Sequence, residues 1–308
     1  MRARRRSRST APDPSGLDIA MAAGRVPVGA RIATRLTGGA AYAIVLVVGV
    51  VWLIPTLGLF ISSLRKASDI SSSGWWTAIE HPAQLTFKDY TTLFHNKGII
   101  QSLWNTVMIT VPATVLVVFL GALAAYAFAW IDFRGRDWLF VVVVGLMVVP
   151  IQVALLPVAS LYRNLHIFGT ILGVVMFHVG FGLPFAIYLL RNFFAAIPRE
   201  LLEATRMEGG SEWTIFRKVI VPLGLPAIAS LAIFQFLWVW NDLLVALVFS
   251  NAKTQPLTVA LQSNMRQFGS NIDILAPGAF LSLSVPLVVF FAFQRYFVQG
   301  LMAGSVKG

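Results

Sequence analysis

The chain contains no cysteine and few charged residues, and both shortages restrict what it can be. Without cysteine, its 308 residues can form neither disulfides nor thiolate metal sites. Only 12% of the residues are charged, whereas a soluble domain carries about a quarter. So few charges cannot cover a water-facing surface, and 57% of the residues are hydrophobic. The sequence therefore predicts an integral membrane protein, most of which faces lipid.

Motifs for catalysis and metal binding are missing as well. None of the six lysines follows a glycine, so the phosphate-binding pattern G-x-x-x-x-G-K-[ST] does not occur. Neither HExxH nor GxSxG occurs, and the four histidines are scattered without metal-ligand spacing. We therefore expect no enzyme, metal or cofactor site in this chain. The net charge of +11 is interpreted as basic residues kept on the cytoplasmic side, rather than as a nucleic-acid surface.

Six apolar stretches are long enough to cross a bilayer, which needs roughly 20 residues. They are 41–62, 102–130, 138–161, 171–192, 223–250 and 277–298. Prolines such as Pro112 and Pro184 lie inside these stretches, which is tolerated when neighbouring helices satisfy the freed backbone groups. The sequence therefore predicts an all-α membrane protein with about six transmembrane helices packed as one bundle.

The distribution of basic residues predicts how the chain is oriented. Residues 1–40 are rich in arginine and poor in apolar side chains, which is typical of a disordered tail. Placing this tail inside puts 17 of the 24 Lys and Arg residues on that side, as cytoplasmic segments require. The remaining residues, 41–308, form the six-span domain of a multi-pass protein of the cell membrane with both termini cytoplasmic. Two long outer segments, 66–101 and 251–276, are then extracytoplasmic, and the middle of the second is predicted to be a short helix.

A polar stretch at 198–222 interrupts the apolar runs on the cytoplasmic side. Pro198 can begin a helix, where its missing N–H costs nothing. Gly209 can end that helix in the left-handed conformation, and Ser211 can cap a second one. The stretch is therefore predicted to form two short helices joined at a glycine corner, lying across the membrane surface.

The residues of this stretch resemble the EAA signature of ABC importer permeases. The signature is carried by Glu203-Ala204-Thr205, then Gly209, then Val219-x-Val221-Pro222. Thr205 stands in place of the second alanine, and Glu208 stands where aspartate is usual. The glycine and the proline that set the geometry are in register.

Two further segments resemble carbohydrate importers of the maltose and α-glucoside type. They are LAIFQFLWVWNDLL at 231–244 and QRYFVQGLMAGSVKG at 294–308. The chain is similar to the shorter, MalG-like member of a permease pair. The resemblance implies a type I ABC importer bundle that carries a di- or oligosaccharide such as an α-glucoside. It also implies a second, MalF-like permease, an ATPase dimer that holds ATP and Mg, and an extracytoplasmic sugar-binding protein.

The resemblance also assigns roles to particular residues. Contact with the ATPase is expected at Glu203, Ala204, Arg206, Glu208, Gly209, Trp213 and Pro222. The C-terminal end is expected to reach towards the ATPase dimer through Gly304, Ser305, Val306, Lys307 and Gly308. Contact with the binding protein is expected in the outer segment 251–276, at Gln262, Asn264 and Arg266.

Polar residues inside the predicted spans are candidates for the translocation path. They are Gln235, Asn241 and Asp242, since ionisable or polar groups at membrane depth are expensive and default to a functional hypothesis. Trp238 joins them because its ring can stack on the face of a sugar. The alternative is that they make helix–helix hydrogen bonds or pack as ordinary aromatics. His178 is expected to bond a neighbouring backbone carbonyl.

Two other classes of protein remain possible on the residues alone. An ion-coupled secondary transporter or channel subunit would show inverted repeats and charged residues at the midplane, and the sequence contains little of either. A membrane-embedded enzyme or scaffold would need a cluster of reactive residues at one membrane face, and none is visible.

Overall fold

A computed structural model describes residues 28–268 and 272–305, with side chains placed for 41–265 and 273–295. The secondary structure of these residues is helical, and the one extended pairing among them is an isolated bridge between Arg65 and Leu85. The predicted all-α membrane fold is therefore confirmed. Of the predicted tail, residues 1–27 lie outside the described residues, and the backbone from Val28 onwards already belongs to the first helix.

Fourteen α-helices follow one another along the described residues. They are α1 Val28–Ser63, α2 Ala67–Ser72, α3 Thr77–Glu80, α4 Lys88–His95, α5 Lys97–Trp130, α6 Arg136–Leu146, α7 Ile151–Asn164, α8 Ile171–Phe194, α9 Arg199–Met207, α10 Glu212–Ile215, α11 Val221–Trp240, α12 Leu244–Phe249, α13 Leu257–Phe268 and α14 Ile272–Ser305. A 3₁₀ turn, Pro82–Gln84, precedes α4, and a π-helical turn, Phe216–Ile220, joins α10 to α11. The chain divides after Gly58 into two units, and the second, from Leu59, contains everything from α2 onwards.

Five helical segments are long and apolar enough to span a membrane. They are Ala41–Ser63, Lys97–Trp130, Ile171–Phe194, Glu212–Trp240 and Asp273–Arg295. A sixth span is reached if α6 and α7 are counted together, although they meet at an angle of 100°. The chain is thus a multi-pass membrane protein, and four of the six predicted spans each lie within a single helix.

The third predicted span, 138–161, is divided between two helices in the structure. The chain leaves the helical conformation after α6 and re-enters it at α7, with Pro150 in an extended conformation at φ −64° and ψ 130°. Proline cannot donate a backbone hydrogen bond, and it forces the preceding residue, here Val149, out of the α region. Apolar composition alone does not reveal this break, because the residues around it remain uniformly hydrophobic.

The fifth predicted span, 223–250, has different boundaries in the structure. The helix starts at Glu212, eleven residues before the predicted start, and ends at Trp240. The apolar residues after Trp240 form a separate helix, α12, whose first backbone N–H groups are capped by the carboxylate of Asp242. A helix that needs its own cap does not continue the preceding one, so the apolar run covers two elements.

The core of the second unit lies where α5, α8 and α11 pack together. Close approach depends on small residues: a Cβ on Gly121 of α5 would lie 2.8 Å from the Cβ of Ala186 on α8. A Cβ on Gly224 of α11 would lie 2.5 Å from the ring of Phe194. Small residues at helix crossings are typical of membrane bundles, where close van der Waals packing replaces the hydrophobic effect.

A buried arginine organises the segment between α1 and α4. The side chain of Arg65 is 1% exposed, and its guanidinium donates to Gln84 Oε1, Asp69 O, Ser73 O, Ser73 Oγ and Thr77 Oγ1 at 2.6–3.1 Å. Arginine has five N–H donors in a fixed planar arrangement, so one side chain can form hydrogen bonds to several turns of irregular backbone. This explains how a segment of short helices keeps a defined shape.

Candidate functional site

The stretch 198–222 forms a compact corner at one end of the bundle, which we call the loop end. Helix α9 begins directly after Pro198, and Gly209 follows it with φ +81°, the left-handed conformation that glycine adopts without strain. The N–H of Gly210 donates to Thr205 O at 2.9 Å, which closes the corner. Ser211 then caps α10 by accepting from the N–H of Thr214. The local sequence thus produces the turn that its glycine and serine indicate.

The second half of the stretch differs from the prediction. Helix α10 does not lie as a separate helix on the membrane surface, because it runs through the π-helical turn Phe216–Ile220 into α11. Ile215 and Ile220 are fully buried, so this segment is anchored in the bundle. The widened turn ends just before Pro222, whose ring would clash with a carbonyl in a regular helix turn. One continuous helical element therefore connects the glycine corner to the fifth span.

A carboxylate joins the corner to α5. Glu212 Oε1 accepts from Arg206 Nε at 3.1 Å, and Glu212 Oε2 accepts from the hydroxyl of Tyr126 at 2.5 Å. The bond to Glu212 also raises the pKa of Arg206, so the guanidinium stays charged. Tyr126 is buried, and its ring lies 5.4 Å from that of Phe216. Through this carboxylate, α9, α10 and the end of α5 are bonded to one another.

A cavity of about 520 Å³ lies beside this junction, and charged side chains dominate its lining. Its three arginines each meet a carboxylate: Arg136 meets Asp132 at 2.7 Å, Arg199 meets Glu203 at 2.8 Å, and Arg206 meets Glu212. The positive charge is therefore balanced locally, and the cavity is poorly suited to hold a free anion.

Most of the predicted ATPase-contacting residues lie on the outer surface of the corner. Those exposed are Glu203, Ala204, Glu208, Gly209, Trp213 and Pro222, while Arg206 is half-buried. Apolar side chains accompany them: Met207 is 89% exposed and Trp213 is 55% exposed. Below this surface Leu202 is fully buried, so the corner presents a mixed apolar and charged face on a firmly packed base.

The predicted translocation residues separate into two groups. Gln235 and Trp238 lie against α8: the Gln235 side chain packs on Gly182, and the Trp238 ring meets His178 edge-on at 5.1 Å. Asn241 is exposed, and its Nδ2 donates to Leu237 O at 2.8 Å within its own helix end.

Asp242 also lies close to α8, like Gln235 and Trp238, but its carboxylate mainly caps the N-terminus of α12. Its Oδ1 accepts from the N–H of Val245 at 3.2 Å and its Oδ2 from that of Ala246 at 2.9 Å. Its backbone carbonyl accepts from Thr258 Oγ1 at 2.6 Å, which attaches α13 to the same point. The residue therefore joins α11, α12 and α13, a structural role that a polar residue at the end of a span does not disclose.

The expectation that His178 bonds a backbone carbonyl is wrong. The ring is fully buried, and neither ring nitrogen has a hydrogen-bond partner among the described residues. The nearest acidic atom is Asp242 Oδ2, 3.6 Å from Nε2. Thr110 Oγ1, which is also unpartnered within the described part, lines the same small cavity of about 10 Å³. His178, Asp242 and Thr110 thus form a small polar cluster inside an otherwise apolar bundle.

Residues 251–256, at the start of the predicted outer segment 251–276, lie at the opposite end of the bundle and are held by buried polar groups. Asn105 Nδ2 donates to Lys253 O at 2.9 Å and to Gln255 O at 3.0 Å. The hydroxyl of Thr106 accepts from the N–H of Leu257 at 2.8 Å. The segment is therefore fastened to α5, even though its own sequence is that of a loop.

The remaining predicted residues follow this segment. Gln262 and Asn264 are half-buried on α13, and Arg266 lies on the same helix with its side chain outside the described residues. Gly304 and Ser305 end α14, whereas Val306, Lys307 and Gly308 lie outside the described residues.

Sequence reasoning missed Tyr126, Asn105 and Thr106. All three lie in the long apolar helix α5, and their partners lie 86 to 151 residues away in the chain. A polar side chain inside an apolar span was the signal that could have drawn attention to each residue. That signal could not show which distant residue it bonds.

Comparison with known proteins gives consistent results. Residues 117–302 match the family described as binding-protein-dependent transport system inner membrane component. The chain is 49% identical over 268 residues to the osmoprotective compounds uptake permease protein GgtD of Synechocystis sp., covering 85% of this chain and 90% of that protein. It is 48% identical over 234 residues to the alpha-glucoside transport system permease protein AglG of Rhizobium meliloti, covering 74% of this chain and 62% of that protein.

A solved structure shares the fold. It is that of a bacterial ABC transporter involved in the import of the acidic polysaccharide alginate, with a TM-score of 0.73 and 21% sequence identity. The match covers 86% of this chain and 98% of the solved chain. At this level of identity the likeness establishes the fold alone.

Proposed function

Because the chain belongs to the family of binding-protein-dependent transport system inner membrane components, we propose that it is a permease subunit of an ATP-driven importer. It forms half of the translocation pathway and takes its energy from a separate ATPase that docks on the corner 198–222. ATP and Mg bind to that ATPase. The rival interpretation, an ion-coupled transporter or channel subunit, predicts uptake that does not depend on an ATPase.

The observation that carries this proposal is the face of the corner. A connector that only links two helices gains nothing from exposing large apolar side chains, yet Met207 and Trp213 are exposed there among charged residues. Exposed apolar groups on a rigid base are typical of a protein-binding surface. Leu202 and Ile215, both fully buried, provide that base. A partner protein that binds this face can therefore move the corner and, with it, helix α11, into which the corner continues.

A second permease is proposed as the neighbour within the membrane. The break between α6 and α7 lies in a predicted span, and Val148, Val149 and Pro150 are all exposed. Irregular backbone at membrane depth persists only where protein or a water-filled cavity surrounds it. A second, MalF-like permease that packs on this break would supply that cover.

The other contacts follow from the proposed orientation. The corner and both termini face the cytoplasm, and the C-terminal residues 304–308 reach towards the ATPase dimer. The outer segment 251–256 and α13 face an extracytoplasmic binding protein, which contacts Gln262, Asn264 and Arg266. The fastening of this segment to α5 supports a role in docking, because a rigid loop binds with less loss of conformational entropy.

The proposed substrate is a di- or oligosaccharide such as an α-glucoside. The relative from Rhizobium meliloti is named for alpha-glucoside transport, which favours this class. A second candidate is an osmoprotective compound, because the relative from Synechocystis sp. is named for the uptake of such compounds. Both are small polar solutes delivered by a binding protein, so a substrate panel must contain both classes.

Reconstitution tests this function directly. The permease, purified with its partner permease and ATPase, is placed in lipid vesicles with the binding protein and a panel of maltose, sucrose, trehalose and glycine betaine. We expect ATP hydrolysis to rise, and solute to accumulate, with one class of the panel. Uptake that continues with a catalytically inactive ATPase would overturn the proposal and favour the ion-coupled alternative.

A further inference from the structure

Helix α5 is bonded at both ends to segments that have proposed partners. At the loop end, Tyr126 donates to Glu212, which is also bonded to Arg206 of α9. At the opposite end, Asn105 donates to the carbonyls of Lys253 and Gln255 in the outer segment. One helix therefore contacts both the corner proposed to meet the ATPase and the segment proposed to meet the binding protein.

The stretch of α5 between these bonds is one continuous helix, which contains Pro112. It spans about 30 Å at roughly 1.5 Å per residue and is helical throughout, from Lys97 to Trp130. Ala113, Val117 and Ala125 are fully buried along it, and Gly121 brings its backbone against Ala186 of α8. Tightly packed helices shift as rigid elements between discrete arrangements, because close-packed interiors do not deform continuously.

The bond at the loop end involves a buried phenol and a shared carboxylate. Glu212 receives one hydrogen bond from Tyr126 at 2.5 Å and one from Arg206 at 3.1 Å. A displacement of α9 must therefore either carry Tyr126 with it or break a hydrogen bond to a charged group, which is among the stronger kinds in proteins. The Tyr126 ring packs beside Phe216, whereas its hydroxyl makes the hydrogen bond to Glu212.

We infer that Tyr126 is a positioning residue through which movement of the corner 198–222 is passed to α5, and that Asn105 passes it on to the outer segment. The inference rests on the proposed function, because it assumes that an ATPase moves the corner. It assigns to α5 the transmission between the two faces of the membrane. Tyr126 touches neither ATP nor solute, so its effect is on the coupling between hydrolysis and transport.

The test compares Tyr126→Phe with Tyr162→Phe in the complete complex in lipid vesicles. Both variants remove one hydroxyl from a buried tyrosine, and both rings keep their aromatic contacts. The readouts are the stimulation of ATP hydrolysis by the binding protein and the number of solute molecules transported per ATP. The binding protein is loaded with whichever of maltose, sucrose, trehalose and glycine betaine stimulates the wild type most.

We expect Tyr126→Phe to lower the stimulation about tenfold, comparable to the loss of one hydrogen bond to a charged group, and to lower the transport ratio. Tyr162→Phe should match the wild type in both. A purely structural role would reduce the yield of assembled complex and leave the transport ratio unchanged, which would contradict the inference. Normal stimulation in Tyr126→Phe would contradict it as well.

A double variant separates transmission from independent damage. If α5 carries the signal, Asn105→Leu combined with Tyr126→Phe should be no worse than the more damaging single variant. Losses that add independently would overturn the inference. Where Asn105→Leu fails to assemble, Thr106→Val replaces it, since Thr106 fastens the same segment. A wild-type complex that shows no stimulation at all contradicts the proposed function itself, so the two failures can be distinguished.

Discussion

His178 Nε2, on α8, lies 3.6 Å from Oδ2 of Asp242, which stands at the junction of α11 and α12. The histidine is fully buried and the aspartate side chain is 10% exposed. The distance exceeds that of a hydrogen bond, and the carboxylate is already held by two backbone N–H groups of α12. The geometry therefore favours capping as the main role of Asp242, with the imidazole as a neighbour.

Replacement of Asp242 distinguishes capping from a role of its charge. Asp242→Ala should lower the free energy of unfolding by about 1 kcal/mol, because the first turn of α12 loses its cap. Asp242→Asn should be nearly neutral, since asparagine caps helices as well as aspartate does. Thermal unfolding in detergent measures both, with the exposed Asn241→Ala as control. Equal damage from Asp242→Asn would mean that the negative charge beside His178 matters more than the cap.

Gly209 should tolerate no side chain, although there is room for one. A Cβ at this position would meet nothing within 4 Å, so the cost comes from φ +81° alone. A left-handed residue other than glycine costs about 1–2 kcal/mol. In vesicles, Gly209→Val should reduce ATPase-driven uptake strongly while the chain still assembles with its partner permease.

Gly135 provides the matched control for Gly209. It also has φ +81° and open space around its missing side chain, but it lies outside the corner. Gly135→Val should therefore cost a similar amount of stability and leave uptake largely intact. Equal loss of uptake in the two variants would indicate general destabilisation and would remove the special role of the corner.

Arg65 should be essential for the shape of the segment between α1 and α4. Its loss removes the guanidinium that joins Asp69, Ser73, Thr77 and Gln84, and a hydrogen bond to a charged group contributes about 1.5–3 kcal/mol. Arg65→Ala should make this segment sensitive to protease, and Arg65→Lys should rescue little because an ammonium lacks the planar fork. The exposed neighbour variant Lys66→Ala should behave as wild type.

Asp89 should make stability depend on pH. Burial, with a smaller contribution from nearby Asp273, raises the pKa of this carboxyl above its ordinary value, and its Oδ2 has no hydrogen-bond partner among the described residues. The folded state therefore holds this proton more tightly than the unfolded state. Stability from this group is fully present below the unfolded pKa of about 4 and is lost as pH rises through the folded pKa.

The corresponding variant is Asp89→Asn, with the exposed Glu80→Gln as control. At pH 8 Asp89→Asn should unfold at a higher temperature than the wild type, and the difference should shrink towards pH 4. The control should show no such trend. A wild type that loses stability relative to Asp89→Asn on acidification would reverse the sign and contradict the assignment.

Much of the architecture is predictable because its causes are local. A run such as the one from Ala41 to Ser63 can exist only in lipid or a deep core, whatever the rest of the chain does. The corner at Gly209 is likewise local, since glycine accepts the left-handed conformation from its own backbone. The break before α7 could have been anticipated from Pro150, but not its angle of 100°, which depends on the neighbouring helices.

The sequence by itself determined that the protein lies in a membrane, roughly where it crosses, and that a polar glycine corner interrupts the crossings. Hydropathy and backbone preference act over a few neighbouring residues, so they can be read along the chain. Only the tertiary structure decided that the corner continues into α11, that Asp242 caps α12, and that Tyr126 is bonded to Glu212. These relationships join residues of separate helices, and they exist only because packing in three dimensions brings those helices together.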